Sequence, residues 1–108
     1  MFGITNGKGF HMCFANGWTV SVQFGPGSYC GNRDGEYIKP MNINGESYWP
    51  NNTSLDAEIA AWDRNGNWYV FEDYGDGFEE KVKGWVTPDG VLAFMNEIAS
   101  KEAHHDKD

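Results

Sequence analysis

The stretch richest in chemical potential is Gly25-Pro26-Gly27-Ser28-Tyr29-Cys30-Gly31-Asn32-Arg33. Glycines let a ligand approach the backbone, and successive N–H groups can form a nest for an anion. Tyr29 can stack on a base and Arg33 can pair with a phosphate. Gly25, Gly27, Ser28, Tyr29, Asn32 and Arg33 are therefore the candidate ligand-binding residues, with a nucleotide as the implied ligand. The Gly-Lys-Ser/Thr of a P-loop is missing. The plainer reading is a tight turn feeding a packed loop, since Gly-Pro-Gly is common punctuation.

A second candidate is the acidic run Glu72-Asp73-Tyr74-Gly75-Asp76-Gly77-Phe78-Glu79-Glu80. Its carboxylates do not have the EF-hand spacing, so calcium is not expected there. Such a run can imitate a nucleic-acid backbone and occupy a basic groove on a protein. Glu72, Asp73, Tyr74, Asp76, Glu79 and Glu80 are the candidate partner-binding residues. The plainer reading is a solvated loop that aids solubility.

His11, Cys13 and Cys30 supply thiol and imidazole groups but lack zinc-ligand spacing, so no metal is expected. No Cys–His signature and no framed pair of carboxylates argues for catalysis. The expectation is a non-enzymatic protein without a cofactor.

The elements that position these candidates can be read from periodicity. Phe10–Phe14 and Trp18–Phe24 alternate as half-buried strands. A two-residue loop at Asn16-Gly17 would put Phe10, Met12 and Phe14 opposite Thr19, Ser21 and Gln23. A three-residue loop pairs Phe14 with Trp18, Met12 with Val20 and Phe10 with Val22, gathering the large apolar groups on one face. A one-residue slip reverses every side chain, so the second register is expected, with Gly17 in the left-handed region. Phe2–Thr5 reads as a first strand, followed by a turn at 6–9, which completes a meander over 2–24. Residues 25–54 are punctuated by Gly, Pro and Asn and read as a long loop, with 34–47 open to disorder. Strands are expected at 56–63 and 67–72 around Arg64-Asn65-Gly66, and an edge strand at 81–86. Thr87-Pro88-Asp89 is a helix start, and Val91, Phe94, Met95 and Ile98 form the stripe that faces the sheet.

The fold class is thus α+β: an antiparallel sheet of about five to six strands with one C-terminal helix packed on it. One domain spans 1–103, and 104–108 is a polar, frayed tail. The 108 residues carry 16 Asp and Glu against 8 Lys and Arg, a formal charge of −8. That field disfavours nucleic acid and anionic lipid. No apolar run approaches the roughly 20 residues of a membrane span. No secretory signal is evident, so a cytoplasmic location with free thiols at Cys13 and Cys30 is expected.

Phe14-Ala15-Asn16-Gly17-Trp18-Thr19-Val20-Ser21-Val22-Gln23-Phe24-Gly25-Pro26-Gly27, continuing to Tyr29-Cys30 and Asn32-Arg33, resembles a group of small proteins of no assigned function encoded by tailed bacteriophages and prophages. The resemblance extends to the Glu58–Trp68 hairpin and to Gly84-Trp85. It implies a phage origin and a location in the host cytoplasm, and it brings no site residues with it. By analogy, the expected function is that of an acidic phage accessory protein that binds and modulates or inhibits a host or anti-phage defence protein. The alternatives are a nucleotide-binding protein using Gly25–Arg33, and a minor virion or structural protein. A homodimer through the aromatics of 25–54 is also compatible with the sequence.

Overall fold

The structure is a computed structural model. It describes residues 1–5, 8–32, 41–43, 46–48 and 54–102, with the backbone alone at 41–43 and 46–48. Arg33, most of the 34–47 stretch, Asn6 and Gly7 of the first turn, and the tail at 104–108 lie outside the described residues.

The alternating segments form strands β1 (Phe2–Ile4), β2 (Gly9–Cys13) and β3 (Thr19–Gln23). The loop contains β4 (Met41–Ile43) and β5 (Glu46–Tyr48), which pair with each other. Then come β6 (Ala57–Trp62), β7 (Glu72–Asp73), β8 (Glu79–Glu80), β9 (Lys83–Val86) and helix α1 (Pro88–Ala99). The main sheet is antiparallel and five-stranded, in the order β1-β2-β3-β6-β9. One helix near the C-terminus packs on it, so the fold is α+β.

The first hairpin takes the register that gathers the apolar groups. Phe10 lies opposite Val22 and Met12 opposite Val20. The Phe14 N–H donates to the Trp18 carbonyl at 2.8 Å, and the Gly17 N–H donates to the Phe14 carbonyl at 3.0 Å. Gly17 has φ +91° and Gly66, its counterpart in the Arg64-Asn65-Gly66 loop, has φ +83°. A β-branched side chain is strained in that region. Gly17→Val is expected to cost about 1–3 kcal/mol in urea unfolding. Gly66→Val should cost less, because nothing lies within 4 Å of its Cβ, whereas a Cβ at Gly17 would meet Arg64 Nε at 2.7 Å. Equal costs would mean that the Arg64 side chain simply moves aside.

The core lies between the sheet and α1. Val20, Val22, Ala57, Ile59 and Ala61 point from the sheet, and Val91, Phe94 and Ile98 point from the helix. Trp18, Phe24 and Met95 pack at its margin. The helix starts where its cap chemistry dictates: the Thr87 hydroxyl accepts from the Gly90 N–H at 3.2 Å, and Pro88 opens the first turn. Leu92 falls outside the stripe and stays exposed.

One expected strand is much reduced. Residues 67–72 do not run along β6; Trp68 makes a single bridge to Trp62, and the Tyr69 N–H reaches the Ala61 carbonyl at 2.8 Å. The reason is competition for one edge. β9 occupies the other half of β6, with Ala57 opposite Val86 and Ile59 opposite Lys83. The chain therefore leaves the sheet after Tyr69 and pairs with itself further on, as β7 with β8.

Candidate functional site

The acidic run proves to be a hairpin rather than an irregular loop. Glu72 lies directly opposite Glu80, and Asp73 directly opposite Glu79. Like charges facing each other across a ladder destabilise it. The turn is held locally: the Tyr74 N–H donates to the Phe78 carbonyl at 3.0 Å, and the Asp73 carboxylate accepts the Gly75 N–H at 2.9 Å. Asp76 sits at the tip with φ +52°. Every residue from Glu72 to Glu80 is exposed. All six residues expected to contact a partner are thus brought together on one exposed ribbon.

Two aromatic rings ride on that ribbon. Tyr74 and Phe78 are 59% and 65% exposed and meet edge to face at 5.6 Å. Sequence reasoning passed over Phe78, although its place between Asp76 and Glu79 was a usable signal: a large apolar residue inside a charged loop has no core to fill. Lys81 Nζ lies 3.8 Å from Glu79 Oε1, an exposed pair of little energetic consequence. The hairpin consequently keeps its negative field.

That field is felt by Tyr74. The charge of Glu80, followed by desolvation and the charge of Glu72, holds its phenol above the usual range, because a second negative charge nearby is unfavourable. Tyr69 is raised too, chiefly by the hydrogen bond that its hydroxyl donates to Glu97 Oε2 at 2.8 Å. Two tyrosines should therefore ionise late when absorbance near 295 nm is followed against pH. Glu80→Gln is expected to bring Tyr74 back down and leave Tyr69 unmoved. A Tyr74 titration unaffected by that change would mean that the two side chains lie apart in solution.

The Gly25–Asn32 segment is packed down. Gly25, Ser28, Cys30 and Asn32 are buried. The Ser28 N–H donates to the Gly25 carbonyl at 3.1 Å, and Asn32 Nδ2 donates to the Phe24 carbonyl at 3.2 Å. Its outward N–H groups do bind anions, but the anions are the protein's own. The Tyr29 N–H donates to Glu58 Oε1 at 2.8 Å, and the Gly31 N–H donates to Asp56 Oδ1 at 2.5 Å. Asp56 immediately precedes β6 and Glu58 is its second residue, which explains why the loop closes over that strand. Gly84 of β9 lets it close: a Cβ there would lie 2.8 Å from the Tyr29 carbonyl oxygen. Gly27 and Tyr29 remain exposed, and Tyr29 stacks on Trp85 at 5.9 Å, with Trp85 55% exposed. The sequence marked Trp85 only by its place on an edge strand and by the resemblance that extends to Gly84-Trp85, and neither pointed to its contact with Tyr29.

The remaining chemical groups are scattered. Cys13 and Cys30 are free thiols; Cys13 Sγ lies 3.1 Å from Thr19 Oγ1, and Cys30 is buried within the Gly25–Asn32 loop. His11 meets the edge of Trp62 at 5.1 Å, on the sheet face opposite Phe10 and Met12. Among the described residues, no group of three or more His, Cys, Asp or Glu is placed to hold a metal ion. No described helix is long and apolar enough to cross a membrane. Compared with known proteins, the chain matches no family model, no curated protein and no solved structure.

Proposed function

We propose that this chain is a small, non-enzymatic binding protein whose Glu72–Glu80 hairpin docks in a basic groove of a partner protein. The carrying observation is the cross-strand pairing of Glu72 with Glu80 and Asp73 with Glu79 on an exposed ribbon. A two-stranded hairpin that opposes like charges gives up stability, and a cationic groove returns it on binding. Tyr74 and Phe78 supply the apolar contact that charge alone lacks. The resemblance to phage-encoded proteins makes the partner a bacterial host or defence protein, met in the host cytoplasm and modulated or inhibited by being occupied. The nucleotide alternative is weaker, because two of its nest donors already hold carboxylates that would repel a phosphate.

The test is capture of the partner from a bacterial lysate, followed by binding kinetics. Replacing Glu72, Asp73, Asp76, Glu79 and Glu80 with their amides is expected to slow association at least about tenfold, because long-range attraction sets the encounter rate. Wild-type association should slow as salt is added, and the variant should respond much less. A quintuple variant that folds and associates at the wild-type rate would reject the hairpin as the contact.

A further inference from the structure

The two edges of the main sheet are treated differently. The β9 edge carries the exposed Lys83, a register shift opposite Ala57–Ile59 and a left-handed residue at Trp85, φ +51°. These are the usual defences against strand addition. The β1 edge has none of these three and is guarded only by its shortness. It is three residues of regular strand, Phe2-Gly3-Ile4, with Phe2 74% and Ile4 86% exposed.

The hydrogen-bond pattern fixes what that edge offers. The Cys13 N–H donates to the Met1 carbonyl at 2.8 Å, and the Thr5 N–H donates to the Gly9 carbonyl at 3.1 Å. Hydrogen-bonded pairs alternate along an antiparallel ladder, so Met1, Gly3 and Thr5 face β2 with their backbone groups. The N–H and C=O groups of Phe2 and Ile4 therefore point away from the sheet. Their side chains lie on the helix-bearing face, opposite Met12 and Phe10.

We propose that β1 is a dimerisation edge, at which two copies of the chain pair antiparallel about a two-fold axis through Gly3. That register sets Phe2 of one copy opposite Ile4 of the other, so the free backbone groups of both residues meet as hydrogen-bonded pairs. Gly3 meets Gly3 at the closely spaced position. The two five-stranded sheets become one of ten strands, with both helices on the same side. Phe2 and Ile4 of each copy bury against Ile4 and Phe2 of the other. A second copy is the occupant because the same two residues, spaced by two, satisfy each other under the rotation. Charge agrees: a chain at −8 repels itself, yet residues 1–33 contain no Asp or Glu. β1, β2 and β3 are thus the side of the sheet on which two copies can meet. The contact is small, so its mass should depend on protein concentration. This inference does not rest on the acidic hairpin.

The test is sedimentation velocity of the full chain from roughly 5 to 500 µM, a range that spans weak self-association. The wild-type mass should rise towards twice 12.2 kDa. Ile4→Pro removes only an outward N–H and should hold the chain at one copy throughout, with an unchanged far-ultraviolet circular dichroism spectrum. Phe2→Lys alters only an exposed side chain, should likewise give one copy, and decides the matter if the proline variant unfolds. A wild-type chain that stays at 12.2 kDa throughout overturns the proposal and leaves the edge to an extended segment of another protein. A dimer that survives Phe2→Lys in a folded chain overturns it as well.

Discussion

Replacing Phe94 with alanine is expected to lower the unfolding free energy by about 3–5 kcal/mol, the range for emptying a buried aromatic site. Phe94 is 6% exposed and is the ring through which the helix meets the chain that leaves β6. Its centroid lies 5.2 Å from Tyr69, edge to face, and 5.2 Å from Phe71. Removing it leaves a void that the flat alanine-bearing surface of β6 cannot fill, since Ala57 and Ala61 have nothing to extend into it. For a domain of this size the midpoint of thermal unfolding should fall by on the order of 15–30 °C. Leu92→Ala, two residues away on the exposed side, is the control and should cost under about 1 kcal/mol. Calorimetry on both variants checks the pair, and similar losses at the two positions would contradict the observed helix orientation.

The second large effect is expected at Asn16. Its Nδ2 donates to the Ile98 carbonyl at 2.8 Å and the Lys101 carbonyl at 3.0 Å, and its Oδ1 accepts the Trp18 N–H at 3.0 Å. One turn residue thereby bonds carbonyls at and just past the end of α1, 82 positions along the chain, where the Ile98 carbonyl also accepts the Lys101 N–H at 3.2 Å. Lys101 adds to the same junction, with Nζ 5.3 Å from the Trp18 ring centre. Asn16→Ala should cost about 2–3 kcal/mol, as several part-buried hydrogen bonds are lost together. Asn16→Asp is the sharper test. It keeps the acceptor for Trp18 but sets a negative charge against the negative end of the helix. It should be at least as damaging as alanine at neutral pH, with the loss shrinking as pH falls and the carboxyl gains a proton to donate. An aspartate variant as stable as wild type at pH 7 in chemical denaturation would show that the link is not made.

The acidic residues illustrate how far a linear reading goes. Their clustering at Glu72–Glu80 was visible without coordinates, because five carboxylates in nine residues cannot all find partners within the run. That they form a ladder with like charges opposed was not visible. Pairing depends on the chain leaving β6 early, and that follows from β9 taking the neighbouring edge. The glycine-rich loop is the converse case. Its capacity to hold an anion was legible in the spacing of its glycines, but its occupants, Asp56 and Glu58, stand more than twenty positions away.

Elements whose signals are local and whose alternatives are costly are dictated by residue order. The register of β2 with β3 followed from alternation, because the competing loop would have turned every large apolar group to the polar side. The helix followed from Thr87-Pro88 and the spacing of Val91, Phe94 and Ile98, since cap and stripe both lie within a few residues. What must be shared between distant segments is settled when the chain folds. The edge of β6 can satisfy only one strand at each position, so β9 and Trp68–Tyr69 divide it. The Asn16 amide serves the far end of α1 because folding brings those carbonyls within reach of a turn. Competition for a finite set of hydrogen-bond partners is a property of the folded chain, and no window of sequence contains it.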